Sequence, residues 1–180
     1  IVYQGSKNKI AKYIVPIIQK YIDENNIETY IEPFVGGANI IDKIQCNHRI
    51  GADINDELIA LLKYVQENPT IPIAPDECSF EHYADVRKNR KVGGEKYSKE
   101  YTALIGYCAS YGGRYYDGGF ARNSRSDDRN SSTIKYINNL NNLKKQASSL
   151  KNISFIYANI KSLSVALIAL IRSDFCITLR

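Results

Sequence analysis

A glycine pair, Gly36-Gly37, closely follows a strand-like segment at residues 27–34 broken by Pro33, and an acid, Asp53, stands at the end of the next strand-like segment, 17 residues beyond Gly36. Glycine just after a strand lets the backbone approach a ligand where no Cβ would fit. An acidic side chain at the end of the neighbouring strand can accept hydrogen bonds from ribose hydroxyls, and the spacing is close to that of a nucleoside-bearing cofactor site. Glycine turns with a downstream Asp also occur as plain structure, so both readings stand at this point. Neither GxxxxGK nor GxGxxG is present, which disfavours a P-loop nucleotidase and a nicotinamide dinucleotide site.

A second concentration of chemistry lies at residues 111–122, which read Tyr-Gly-Gly-Arg-Tyr-Tyr-Asp-Gly-Gly-Phe-Ala-Arg. Just upstream, residues 87–99 hold six cations (Arg87, Lys88, Arg90, Lys91, Lys96, Lys99) and one acid, Glu95. The whole chain carries 24 basic and 19 acidic residues, a formal +5, which permits a nucleic-acid partner without requiring one. The four cysteines lie far apart with no CxxC pair, and only two histidines occur, so a metal site is not expected. Such cysteines read as reduced, half-buried residues of an intracellular, cytoplasmic protein. The longest apolar run, residues 165–171, is too short to span a bilayer, so no membrane is expected. No methionine occurs even at position 1, which suggests a fragment or a sequence without its modified residues.

The elements that would position these residues follow from apolar spacing. At 180 residues with 44% hydrophobic composition, the chain is a folded domain, or one with an inserted lobe, rather than a disordered tail. Residues 7–24 carry isoleucines at helical spacing with Ser6 as N-cap, and Pro16 either starts or bends that helix. A strand at 27–34, a short helix at 38–46, a strand at 49–54 and a helix capped by Asn55 follow, the last with an inner face of Leu58, Leu61, Leu62 and Val65. Strand-to-strand crossovers this short predict a parallel sheet. Pro69, Pro72 and Pro75 mark an exit; a helix at 97–108, a mobile loop at 123–133, a helix at 134–150 and a returning strand at 153–160 complete the pattern. Composition alone leaves 70–150 equally readable as a helical lobe with no ligand.

Three segments carry a resemblance: Tyr3-Gln4-Gly5-Ser6-Lys7, then residues 30–38 with Glu32-Pro33-Phe34-Val35-Gly36-Gly37-Ala38, then Gly51-Ala52-Asp53-Ile54-Asn55. In order and spacing they resemble the opening of the Dam-like (D12 class) adenine-N6 DNA methyltransferases, and the likeness runs more loosely to residue 160. The resemblance implies an α/β fold: a partial Rossmann-like S-adenosylmethionine-dependent methyltransferase fold with an inserted helical target-recognition lobe. It divides the chain into a cofactor-binding half at 1–66, a DNA-recognition lobe at 67–150, and a return strand opening the catalytic half at 151–180.

The implied cofactor is S-adenosylmethionine, with Tyr3, Gln4, Lys7, Glu32, Pro33, Phe34, Gly36, Gly37 and Asp53 as its residues, Asp53 holding the ribose and Lys7 near the methionine portion. Ala38 stands where the family often has glycine, and Asn159 where it usually has an acid contacting the adenine; an amide accepts through its carbonyl without charge assistance. The implied partner is double-stranded DNA, contacted by Arg114 and Arg122 with Tyr115 and Tyr116 as stacking or backbone-contacting partners. For the tyrosines, a packed lobe core is the alternative.

The family's catalytic Asp-Pro-Pro-Tyr has no counterpart, since no proline follows position 75, and Asp174 is no substitute. A polypeptide of these 180 residues is therefore expected to bind cofactor weakly and transfer no methyl group. The alternatives are a non-catalytic DNA-binding remnant of such an enzyme and a methyltransferase acting on RNA.

Overall fold

A computed structural model describes residues 1–121, 129–159 and 175–177, the last three and 129–133 by their backbone. It has four strands, β1 (Thr29–Glu32), β2 (His48–Asp53), β3 (Ile153–Tyr157) and β4 (Phe175–Ile177), and five helices, α1 (Asn8–Glu24), α2 (Asp56–Glu67), α3 (Phe80–Lys91), α4 (Lys99–Ala109) and α5 (Arg129–Ala147), among the described residues. The strands form one sheet in the order β3-β2-β1-β4, and every pairing is parallel. This small parallel sheet with flanking helices is the mixed α/β arrangement the sequence predicts, and it is consistent with a Rossmann-like core.

The chain divides into two compact units: Ser6–Ile59 with the residues from Ser149 onward, and Ile1–Gly5 with Ala60–Ser148. The dividing point lies inside α2, and the first five residues belong with the helical unit.

In the sheet unit, α1 begins at Asn8 and continues through Pro16. Lys7, not Ser6, occupies the cap position, yet the Ser6 hydroxyl still accepts from the Asn8 N–H at 3.2 Å. The helix expected at 38–46 is reduced to a single 3-10 turn, Ile41–Lys43. Its start is blocked by Ala38, whose φ of +55° is incompatible with a right-handed helix. Ile40, Ile41 and Ile44 are nonetheless buried as the apolar spacing requires. Arg49 takes over the capping: its guanidinium donates to the carbonyls of Ile41 and Ile44 at 3.2 and 3.3 Å and to that of Lys151 at 2.7 Å.

Val35 and Phe155 pack against the backbone of β2 at Gly51, where there is no side chain. A Cβ there would sit 2.8 Å from Val35 Cγ2 and 3.2 Å from the Phe155 ring, and both side chains are buried. Gly51→Ala is therefore expected to cost about 1–3 kcal/mol, overpacking outweighing the gain of a better strand former. A lowered thermal midpoint checks this; an unchanged one would show that the core yields.

The helical unit is built on tyrosines. Tyr83, Tyr107, Tyr116 and Tyr136 are buried, and the Tyr136 hydroxyl donates to the Pro75 carbonyl at 2.9 Å. α3 has no counterpart in the sequence reading, because its apolar face is only Tyr83 and Val86; Ser79 caps it by accepting from the His82 N–H. α4 is capped in the same way by Ser98 and is buried from Thr102 to Ala109. α5 starts at Arg129, so 129–133 are helical where a loop was expected, and Ile134 and Ile137 face outward instead of joining Leu140, Leu143, Ala147 and Leu150 inside. Among the described residues no helix is long and apolar enough to cross a membrane.

Candidate functional site

The carboxyl ends of parallel strands are where open α/β sheets bind ligands, above all where strand order reverses. Here the chain runs outward from β1 to β2 and β3, then returns to place β4 on the other side of β1. The segment leaving β1 at that reversal is Pro33-Phe34-Val35-Gly36-Gly37. Its path is set by β2: the Val35 N–H donates to the Ala52 carbonyl at 2.8 Å, and the Gly36 N–H to Asp53 Oδ2 at 3.0 Å. Gly36 has φ +47°, where glycine is unstrained. Ala38, also left-handed, carries a strain that a glycine would avoid.

Asp53 ties three segments together. Its Oδ1 accepts from the Asn55 N–H at 3.0 Å, its Oδ2 from Gly36, and its main-chain carbonyl accepts from the Ala158 N–H at 3.1 Å. The residue is 7% exposed. Each carboxylate oxygen has a further lone pair, so both can still accept from a ligand hydroxyl. The Ala158 bond brings Asn159, which is exposed, to the same edge. Glu32 is also buried, and its Oε2 accepts from the Ile41 N–H at 3.1 Å. Pro33, Gly36 and Gly37 are buried, while Phe34 is half-buried.

The sheet unit thus brings Glu32, Pro33, Phe34, Gly36, Gly37, Asp53 and Asn159 to one edge. Lys7 is at the amino end of α1, where the Ser6 hydroxyl also accepts from Asn39 Nδ2 at 2.9 Å. The Ser6–Asn39 link was not anticipated; no spacing signals a hydroxyl-to-amide bond across 33 residues. Tyr3 and Gln4 belong to the helical unit. There the Tyr3 ring stacks on Tyr107 at 5.7 Å, and the Gln4 N–H donates to the Gly113 carbonyl at 3.3 Å.

Residues 110–121 form a closed loop. Ser110 bridges Phe120, the Tyr111 N–H donates to the Gly119 carbonyl and the Ala121 N–H to the Ala109 carbonyl, both at 2.9 Å. Arg114 is exposed near its tip. Tyr115 and Tyr116 follow with φ of +40° and +62°, two consecutive non-glycine residues in a region that such residues rarely adopt. Tyr115 is half-buried, stacked on Tyr107 at 4.5 Å and covered by the Arg90 guanidinium at 4.8 Å. Tyr116 is 3% exposed; its N–H donates to Ser110 Oγ and its hydroxyl to the Thr102 carbonyl, each at 2.8 Å. Its ring is packed into the core of the helical unit. Arg122 lies outside the described residues. Arg90, Gly106, Tyr107 and Ser110, which hold the loop, carry no motif of their own.

Other chemistry is poorly supported. Burial pushes the Cys78 and Cys108 thiols up to about 12, leaving little thiolate at neutral pH. Among the described residues, no three His, Cys, Asp or Glu side chains converge as metal ligands would.

Residues 3–175 match the family described as D12 class N6 adenine-specific DNA methyltransferase. Among curated proteins, the chain is 34% identical over 70 residues to the Type II methyltransferase M.MjaIII of Methanocaldococcus jannaschii, a match covering 37% of this chain and 24% of that one. It is 30% identical over 71 residues to the modification methylase StsI of Streptococcus sanguinis, covering 39% of this chain and 10% of the relative. The matched stretch is a minor part of each relative's length.

Proposed function

The chain belongs to the D12 class of N6 adenine-specific DNA methyltransferases, and on that premise we propose that it supplies the S-adenosylmethionine site and the DNA-recognition lobe for methyl transfer to adenine N6 in duplex DNA. The observation that carries the cofactor half is the Asp53 carboxylate, nine-tenths buried at a strand end and bonded to the Gly36 N–H of the loop after β1. That pairing builds an acceptor for ribose hydroxyls beside a backbone on which no Cβ intrudes. Glu32 and Asp53 rigidify the edge; on this reading Phe34 and Asn159 are assigned to the adenosine portion of the cofactor and Lys7 to its methionine portion. Bound S-adenosylmethionine supplies an electrophilic sulfonium methyl group. The exposed Arg114 on the closed loop is the residue of the recognition set best placed to reach phosphate or a base edge.

In the family the amine of a flipped adenine is held by the Asp-Pro-Pro-Tyr loop, and residues 1–180 contain no such sequence. The test is therefore double. A polypeptide of these 180 residues is expected to bind duplex DNA in a salt-dependent manner and S-adenosylmethionine weakly, measured by titration, and to incorporate no labelled methyl group. Loss of both bindings overturns the reading. Turnover would show that the chemistry does not depend on the proline-containing loop. Preference for structured RNA over duplex DNA in competition would transfer the reading to an RNA substrate.

A further inference from the structure

We infer that the outward face of α3 is a phosphate-backbone contact for duplex DNA, formed by Arg87, Lys88 and Lys91 and separate from the loop at 110–121. The inference rests on the DNA-recognition reading above and gives a role to the cation run that reading leaves unused.

The structure sorts that run by what each cation touches. Lys96 is taken by Asp85, 2.5 Å away, with the Tyr97 hydroxyl donating to the same carboxylate at 2.6 Å. The hydrogen bonds from Lys96 and Tyr97 hold the Asp85 carboxyl below its ordinary range. Arg90 lies over the Tyr115 ring at 4.8 Å and the Tyr116 ring at 5.9 Å, so it supports the loop. Lys99 opens α4, so on α3 Arg87, Lys88 and Lys91 remain, all exposed. At 100° per residue, positions 87, 88 and 91 fall within one 100° sector whose centre is about 120° from that of the buried Tyr83 and Val86, with Arg87 one turn on from Tyr83. The acids of α3, Glu81 and Asp85, lie toward its amino end, so this sector is positive without interruption over its last turn and a half.

Cations in a last turn also suit the helix dipole. That role alone would not affect how DNA binding depends on salt. Three charges that neutralise phosphates displace counterions from the duplex, each contributing about 0.9 to the slope of log affinity against log salt. The contact is independent of base sequence, because it touches no base edge.

The experiment titrates a mixed-sequence duplex of about two helical turns against the full 180-residue chain over a series of salt concentrations. The variant Arg87→Gln, Lys88→Gln, Lys91→Gln is expected to reduce the magnitude of the slope by roughly 2.7, and Arg87→Gln alone by about 0.9. A charge-matched control, Lys9→Gln, Lys12→Gln, Lys20→Gln on α1, is expected to leave the slope unchanged. The single variant keeps the test valid if the triple variant unfolds. A wild-type chain with no affinity for duplex DNA removes the functional reading and this contact together. A wild-type chain that binds, with α3 variants of unchanged slope, removes this contact alone. Equal losses in the α3 and α1 sets would show that only net charge matters and overturn the assignment.

Discussion

Asp53→Ala is expected to lower S-adenosylmethionine affinity by about 100-fold or more, while affinity for duplex DNA stays unchanged. The size follows from what the carboxylate does. Hydrogen bonds to a charged group contribute about 1.5–3 kcal/mol each, and a ribose offers two hydroxyls to one carboxylate. The substitution also releases the N–H groups of Gly36 and Asn55, which Oδ2 and Oδ1 now hold at 3.0 Å. The loop after β1 loses its anchor along with the ligand's acceptor. Stability is therefore expected to fall by about 1–3 kcal/mol. Asp53→Asn should lie between, because the amide carbonyl keeps one bond while its NH2 meets a backbone donor. DNA affinity is the internal control, because the loop carrying Arg114 is held within the helical unit. Calorimetric titration with cofactor, beside a DNA titration, reads both. Unchanged cofactor affinity in Asp53→Ala would sink the ribose role and leave Asp53 as a loop anchor only.

What could be read from the sequence depended on how local the determinant was. The Asn55 cap and the inner face of α2 were legible, since a cap and a 3.6-residue spacing are properties of neighbours; Leu58 N donates to Asn55 Oδ1 at 3.1 Å, and Leu58, Leu61, Leu62 and Val65 are all buried. The spacing of Gly36 and Asp53 drew attention to both, but the bond between the Gly36 N–H and Asp53 Oδ2 was not legible, because it depends on how two strand ends lie side by side. α3 was hidden, because two buried residues among cations make no periodic signal. The helix expected at 38–46 failed for the opposite reason. Its isoleucines do go inside, but the left-handed Ala38 turns the chain before a helix can form. Tyr116 was left open between a core and a contact role because sequence does not distinguish an aromatic ring facing solvent from one whose hydroxyl donates to a buried carbonyl such as that of Thr102.

Gly106→Ala is expected to weaken duplex DNA binding about tenfold or more without changing cofactor affinity. An alanine in a helix interior should stabilise by roughly 0.5–1 kcal/mol, and Gly106 is well inside α4. Against that gain, the new Cβ would lie 2.6 and 2.7 Å from carbons of the Tyr115 ring and 2.7 Å from the Tyr116 ring. Neither ring has an easy retreat. Tyr116 is buried with its hydroxyl donating to Thr102, and Tyr115 is stacked on Tyr107 beneath Arg90. Both residues already have left-handed backbones, each costing about 1–2 kcal/mol, so the cheapest relaxation is for the pair to leave that conformation. Doing so moves Arg114, the next residue toward the tip, and with it the surface offered to DNA. Overpacking costs about 1–3 kcal/mol, so net stability should fall slightly while DNA affinity falls sharply. A thermal melt and a DNA titration separate the two effects. If Gly106→Ala raises the thermal midpoint and leaves DNA affinity unchanged, helix propensity has won, and the Tyr115–Tyr116 turn does not depend on the space that Gly106 leaves open.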